Sequence, residues 1–324
     1  MPSVSCPLPT LAEIESALAL IRPQIPETPT QRWPMLESGW DGELWLKHEN
    51  QTPAGAFKIR GGLIYIHELR LAEPSVRGVI AASTGNHGRS IATAAKQHGL
   101  RAVIVVPQGN NPAKNQAMRD LGAELIEHGR EFQESLEFSR LLAQQEGLHA
   151  VPSFHPWLVR GVATYGLELF RRVPAELDVV FVPIGLGSGF CGLAAARAAL
   201  GLRTRIIGVV SAHAPAYALS FQRRAFTEQA STTRIAEGVA CRTPNEAALQ
   251  HILHHAHDVV TVTDDEALEA MREIQLGTQQ IAEGAGALAF AALKKQRSLW
   301  SGARVACILS GGNASAEVLR MMTA

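Results

Sequence analysis

The sequence predicts an α/β protein: two open, twisted α/β units, each built on a parallel sheet, with a ligand crevice between them. Three observations carry that expectation. Six short runs are apolar almost throughout and rich in Val and Ile: Val79–Ala82, Ala102–Val106, Val179–Pro183, Arg205–Val210, Val259–Val262 and Arg304–Leu309. Strands that lack polar alternation are covered on both faces, as in a parallel sheet. Helical stretches separate them, at Ser90–His98, Asn115–Leu121, Glu131–Gln145, Gly192–Ala199 and Asp264–Ile281. The rhythm runs twice, from about Thr52 to Phe154 and from about Pro156 onward, and the proline-flanked segment Val151–Pro156 crosses between the two. Paired α/β units hold ligands beyond the carboxyl ends of their strands.

The composition agrees. A chain of 324 residues, 46% hydrophobic and 19% charged, is an ordinary globular protein of one or two domains. Thirty Lys and Arg balance thirty Asp and Glu, and no basic block is present, so nucleic acid is excluded as a main partner. The densest basic pairs, Arg171-Arg172 and Lys294-Lys295, read as solvated helix ends. No apolar run approaches the ~18 residues of a membrane span. The opening MPSVSCPLPT lacks the basic and apolar regions of a signal peptide. Cys6, Cys191, Cys241 and Cys307 show no CxxC spacing and read as buried, reduced thiols. A cytoplasmic protein is expected.

Along the chain, Leu11, Ile14, Leu18 and Ile21 form one stripe of an amphipathic helix that Pro23 ends. Asp264 or Asp265 is the expected N-cap of the helix that follows. His251, His254, His255 and His257 cluster, but no glutamate stands in HExxH position and the helix is polar. A solvated face is expected there, with no metal site.

Four loops carry chemistry. Gly185-Leu186-Gly187-Ser188-Gly189 follows a strand and opens a helix, where glycines admit an anion to free N–H groups. Gly187, Gly189 and Gly192 also satisfy G-x-G-x-x-G, yet the next strand ends Gly208–Ala214 without the carboxylate a dinucleotide ribose needs. A monophosphate fits better than a dinucleotide or a purely structural turn. Ser83-Thr84-Gly85-Asn86-His87-Gly88 gathers hydroxyls, an amide and an imidazole at another helix start, which suits a carboxylate or simply a capped helix. Lys58, between Phe57 and Ile59, is either a desolvated amine nucleophile or a snorkelling surface lysine. Leu309-Ser310-Gly311-Gly312-Asn313 closes the last apolar strand as a turn or a ligand contact.

Together and in this order, the motifs resemble one family. Lys47-His48-Glu49-Asn50, Thr52 and Gly55–Gly61 are similar to the K-x-E-N…T-G-S-F-K-x-R-G segment of fold-type II pyridoxal-phosphate enzymes, whose fold is that of the tryptophan synthase β chain. Ser83–Gly88 resembles their S-x-G-N-H-G loop, Gly185–Gly189 their glycine loop, and Ser310–Asn313 their S-G-G-N motif. The resemblance covers essentially the whole chain and points to serine/threonine dehydratases (ammonia-lyases) and serine racemases.

The resemblance implies pyridoxal 5′-phosphate held by Lys58 in a cleft between a large cofactor-binding domain, residues 1–52 and 155–324, and a small domain, residues 53–154. It implies Phe57 against the ring, Asn86 on the 3′-hydroxyl, residues 185–189 on the phosphate, Ser310 at the pyridine nitrogen and Glu283 near the cofactor. It places the substrate carboxylate on Ser83, Thr84, Gly85, Asn86 and His87. Lys58 would take the Cα proton, and Thr84 stands where racemases carry a second base. The implied reaction is β-elimination of L-threonine or L-serine to a 2-oxo acid and ammonia, in a homodimer. A racemase, a hydroxyaspartate, phenylserine or hydroxyectoine-pathway dehydratase, or a silent cofactor-binding protein are the alternatives. Three departures stand out. Ala56 replaces the usual serine, Leu186 and Ser188 interrupt the glycines, and Val210 replaces a metal-binding glutamate. Eleven residues follow Asn313, so no C-terminal regulatory domain is expected.

Overall fold

The computed structural model describes residues 7–323. Its strands are β1 (Thr30–Arg32), β2 (Glu43–His48), β3 (Gly78–Ala82), β4 (Arg101–Val106), β5 (Glu124–Glu127), β6 (His149–Ala150), β7 (Val179–Pro183), β8 (Arg205–Ser211), β9 (Asp258–Val262) and β10 (Arg304–Leu309). They form a six-stranded sheet in the order β1-β2-β10-β7-β8-β9 and a four-stranded sheet in the order β5-β4-β3-β6. Every pairing is parallel except that of β1 with β2. Parallel neighbours need long crossovers, and helices supply them on both faces.

All six expected strands are present. Val79, Val103, Val179, Ile206 and Val305 are fully buried, so the apolar runs are the cores of the two sheets. Four strands gave no apolar signal. β1 and β5 are sheet edges with half their residues in water, and β6 has two residues. β2 carries Lys47 and His48, both buried, so its inner residues read as polar.

The helix Leu11–Ile21 buries Ile14 and Ile21, and Thr10 caps it through a capping box with Glu13. At Asp264–Thr278 the expected cap is corrected. Thr263 is the N-cap and shares a capping box with Glu266, leaving Asp264 and Asp265 in the first turn, where negative charge meets the helix dipole. The histidine face is corrected too. His251 is buried and stacks on His255 at 5.9 Å, and His255 Nδ1 lies 3.2 Å from an Arg197 nitrogen. Only His254 and His257 of the four are exposed. Cys191, Cys241 and Cys307 are buried and form no disulfide, whereas Cys6 lies outside the described residues. Among the described residues, no helix is long and apolar enough to cross a membrane.

Candidate active site

All four chemical loops leave the carboxyl ends of strands: the 49–58 segment follows β2, Ser83–His87 follows β3, the glycine loop follows β7 and Ser310–Asn313 follows β10. Because β2, β10 and β7 are neighbours in the large sheet, three of the loops emerge side by side.

Lys58 opens the helix Lys58–Ala72. The turn before it is set by Thr52, whose Oγ1 accepts the Ala56 N–H at 2.9 Å and donates to the Ala56 carbonyl at 2.9 Å. The same turn is pinned to the loop after β10. Phe57 N–H donates to Ser310 O at 3.1 Å, Gly312 N–H donates to Gly55 O at 2.9 Å, and Ala56 bridges Gly311 in antiparallel fashion. Gly55 sits at φ +72°, and a side chain there would meet Asn313 Oδ1 at 2.5 Å. The lysine amine donates to Ser188 Oγ at 3.0 Å and lies 5.1 Å from the Phe57 ring centre. Burial pushes its pKa down to about 8, which raises the fraction of free amine at neutral pH. The snorkelling surface lysine is thereby set aside.

Beneath the lysine lies a cluster of buried charge. Arg60 donates Nε to Glu49 at 2.7 Å and Nη2 to Glu168 at 2.8 Å, while Lys47 Nζ donates to Glu168 at 2.7 Å and to Thr28 O at 2.9 Å. Thr28 Oγ1 donates to Glu49 at 2.6 Å. Two buried cations meet two carboxylates, all four nearly inaccessible to water, and the partly exposed Arg22 reaches Glu168 as a third cation at 2.9 Å. Burial opposes the charge of Glu168, but Arg60 and Lys47 outweigh it and hold the carboxyl below its ordinary range. The network ties β2, the lysine helix and the helix Pro156–Arg172 together at one point.

The glycine loop leads into the helix Ser188–Ala199. Gly185 has no room for a side chain, since a Cβ would stand 2.8 Å from Gly238 O; Gly187, at φ +100°, would meet Ala248 Cβ at 2.5 Å. Gly189 faces the Phe57 ring, where a Cβ would lie 3.3 Å from Cζ. Phe57 in turn packs edge-on against Tyr165 at 6.0 Å.

On the other side, Ser83 Oγ accepts the N–H groups of Gly85, the N-cap of the helix Asn86–Gln97, and of Gly88 in its first turn, at 3.2 and 2.8 Å. The Thr84 hydroxyl is partly exposed and has no hydrogen-bond partner among the described residues. Gly85 is open on its outer side, with Lys114 Cδ 3.6 Å from where a Cβ would stand. His87 Nε2 is buried without a partner, and burial, then the Lys58 charge, push its pKa down to about 3, so the ring is neutral. Asn86 Nδ2 donates to Glu283 Oε1 at 2.7 Å. Burial raises the Glu283 pKa. Ser310 is buried, its Oγ 3.5 Å from Ala285 O.

Several expected site residues therefore meet directly: Lys58 with Ser188, Phe57 with Gly189, Asn86 with Glu283. Among the described residues, the Thr84 and Ser310 hydroxyls make no hydrogen bond to the other expected site side chains. Residues without an assigned part also enter. Asn313 Nδ2 donates to Asn86 Oδ1 at 2.8 Å, and Lys114 forms an ion pair with Glu237 beside Glu283. A glutamate inside the apolar helix of Glu168 was the one readable signal of the buried network. Val210 is buried, and among the described residues no group of three or more His, Cys, Asp or Glu is placed to hold a metal ion.

Residues 21–311 match the family described as pyridoxal-phosphate dependent enzyme. The chain belongs to that family. It is 32% identical over 324 residues to the biosynthetic L-threonine dehydratase of Haemophilus influenzae, covering 98% of this chain and 63% of that one, so it spans less than two thirds of that relative. Identity to the catabolic L-threonine dehydratase of Staphylococcus aureus is 35% over 309 residues, 94% of this chain and 89% of the other. The solved structure of maize serine racemase superposes with a TM-score of 0.89 at 28% identity, covering 97% and 96% of the two chains. The cofactor of the family is pyridoxal phosphate, and the site fits it. A desolvated amine stands beside a glycine loop too tight for side chains, at a helix N-terminus that favours an anion. His87 Nε2 nearby is a buried polar atom in need of a partner.

Proposed function

We propose that the chain is a pyridoxal-phosphate-dependent lyase that removes the β-hydroxyl group of a small 3-hydroxy amino acid, such as L-threonine or L-serine, to give a 2-oxo acid and ammonia. The observation that carries the reading is the Lys58 amine, half-desolvated and 3.0 Å from a hydroxyl of the glycine loop. The threonine dehydratases at 32% and 35% identity support the reaction class.

Bound pyridoxal phosphate supplies the electron-withdrawing system that makes the Cα proton of an attached amino acid acidic. The Lys58 amine would hold the cofactor and, when free, would serve as the general base for that proton. Gly185, Leu186, Gly187, Ser188 and Gly189 hold the phosphate on backbone N–H groups and the Ser188 hydroxyl. Phe57 would line the ring, and Asn86, set by Glu283, would bond its hydroxyl. Ser310 offers the ring nitrogen a hydroxyl in place of a carboxylate, which favours elimination over transamination. The loop Ser83, Thr84, Gly85, Asn86 and His87 receives the substrate carboxylate on N–H and O–H donors. Elimination expels the hydroxyl as water, and the released enamine hydrolyses to the 2-oxo acid and ammonia.

Residues 1–52 and 155–324 form the cofactor-binding domain on this reading and residues 53–154 the domain of the carboxylate loop. The four strands of the smaller sheet, all within 78–150, support that division. The enzyme acts as a homodimer, in keeping with the family resemblance, and in the cytoplasm, in keeping with buried cysteines that form no disulfide among the described residues.

A second reading rests on Thr84, whose hydroxyl is uncommitted. As a second proton carrier it would return a proton to Cα and racemise part of the substrate. Both readings are tested by incubating the enzyme with each stereoisomer of serine, threonine, 3-hydroxyaspartate and phenylserine while following 2-oxo acid and enantiomer together. Steady 2-oxo acid from threonine or serine is expected. Inversion without 2-oxo acid would overturn the lyase assignment, and cofactor binding without turnover would leave a silent binding protein.

A further inference from the structure

A loop that grips an anion through backbone N–H groups needs those groups held in one direction, and glycine works against this because it adopts many backbone conformations. In the glycine loop, Gly187 sits at φ +100°. The peptide between Leu186 and Gly187 precedes the helix Ser188–Ala199, so the helical hydrogen-bond ladder does not fix its plane. What fixes it is a tyrosine. Tyr217 Oη donates to Leu186 O at 3.1 Å, and among the described residues it is the donor on that carbonyl. The same hydroxyl accepts the Asn245 N–H at 2.9 Å, so both of its hydrogen-bonding roles are taken. Tyr217 is buried, and its Oη would stand 3.5 Å from a Cβ on Gly187.

In a trans peptide the C=O and the N–H point in opposite directions. With Leu186 O turned to Tyr217, the Gly187 N–H is turned away from it. Asn245, the other end of the relay, is the N-cap of the helix Glu246–His255, a rigid anchor. By contrast, Gly189 O, which accepts from Tyr165 Oη at 2.7 Å, lies inside a helix that already orients it.

We infer that Tyr217 is a positioning residue for the phosphate: its hydroxyl locks the Leu186–Gly187 peptide so that the Gly187 N–H faces the anion. The inference rests on the proposed cofactor role of the glycine loop. Its signature is selectivity for the phosphate, because a residue that only stabilised the fold would affect any ligand of the cleft alike.

The test compares full-length wild type and Tyr217→Phe, each reconstituted with pyridoxal 5′-phosphate or with pyridoxal, which lacks the phosphate. Phenylalanine keeps the ring and removes the hydroxyl. Tyr217→Phe should weaken pyridoxal 5′-phosphate by about fivefold, the worth of one hydrogen bond, and leave pyridoxal unchanged. Equal weakening of both ligands, or of neither, overturns the role of Tyr217. Failure of wild type to bind pyridoxal 5′-phosphate at all overturns the cofactor reading instead. Should the variant not fold, amide exchange of cofactor-free wild type decides. Inorganic phosphate should slow exchange at Gly187, and an unaffected Gly187 amide overturns the proposal.

Discussion

Asn86 and Glu283, 197 positions apart in the chain, share a 2.7 Å hydrogen bond that joins the loop after β3 to the start of the helix Gly284–Gln296. Asn313 donates to the other end of the same amide at 2.8 Å. The amide of Asn86 is therefore oriented with its oxygen to Asn313 and its nitrogen to Glu283, because a carboxylate oxygen accepts and Asn313, whose Nδ2 also donates to Ala54 O at 2.8 Å, presents its N–H.

This chain of three residues separates two substitutions at Glu283. Glu283→Gln keeps an oxygen that accepts from Asn86, whereas Glu283→Ala leaves the Asn86 nitrogen unpaired in a buried setting, a cost of about 1–3 kcal/mol. Cofactor affinity should fall more in the alanine variant than in the glutamine variant. Equal affinities by fluorescence titration would refute the orienting role.

Lys58→Ala should abolish both turnover and the visible absorbance of protein-bound pyridoxal phosphate, because among the described residues Lys58 is the lysine hydrogen-bonded to the glycine loop. The folded chain should persist, since the amine makes no buried ion pair. Retained absorbance in the purified variant would remove Lys58 from the cofactor role.

Removing Arg60 strips Glu49, which has almost no access to water, of its ion-pair partner and leaves it the Thr28 hydroxyl, while Glu168 keeps Lys47 and Arg22. Arg60→Met should cost about 3–5 kcal/mol in denaturant unfolding, the usual price of breaking a buried pair from one side. Arg60→Lys should recover only part of it, because an ammonium cannot bond two carboxylates as the guanidinium fork does. A loss below 1 kcal/mol (roughly the ceiling for an exposed pair) would show that water reaches the site.

His48 sets a pH limit. It is buried, Trp33 donates to its Nε2 at 3.0 Å, and burial pushes its pKa down to about 4. The unfolded chain protonates this ring near its ordinary value of 6.5. Between those values the unfolded state binds more protons, so the stability present above about pH 6.5 is lost as the pH falls toward 4. His48→Gln should flatten the fall at pH 5 by about one proton, or about 1.4 kcal/mol per pH unit. An unchanged slope would mean the ring is charged in the fold.

Much of this was legible in the sequence. Continuous apolar runs announced the central strands, since burial on both faces leaves no place for polar alternation. The glycine loop and the Ser83–Gly88 loop declared themselves because their residues serve backbone geometry and hydrogen bonding that few other residues supply. β2 did not, because its buried Lys47 is neutralised by Glu168, far away in sequence. Tyr217 was silent for the same reason. Its partners, Leu186 and Asn245, use backbone atoms that every residue carries. Thr263 and Asp264 are both good caps, and only the capping box with Glu266 tells them apart.

The position of β10 has a consequence for how the enzyme comes into being. This strand is made late, yet it lies in the middle of the large sheet between β2 and β7, and the loop after it clasps the turn that presents Lys58. A ribosome-bound chain short of residue 309 has a gap at the centre of its larger sheet and lacks the loop that clasps the lysine turn from outside, leaving that turn to Thr52. Contacts so distant in sequence form slowly. The lysine turn therefore takes its final setting only once the last described strand has entered the middle of the sheet.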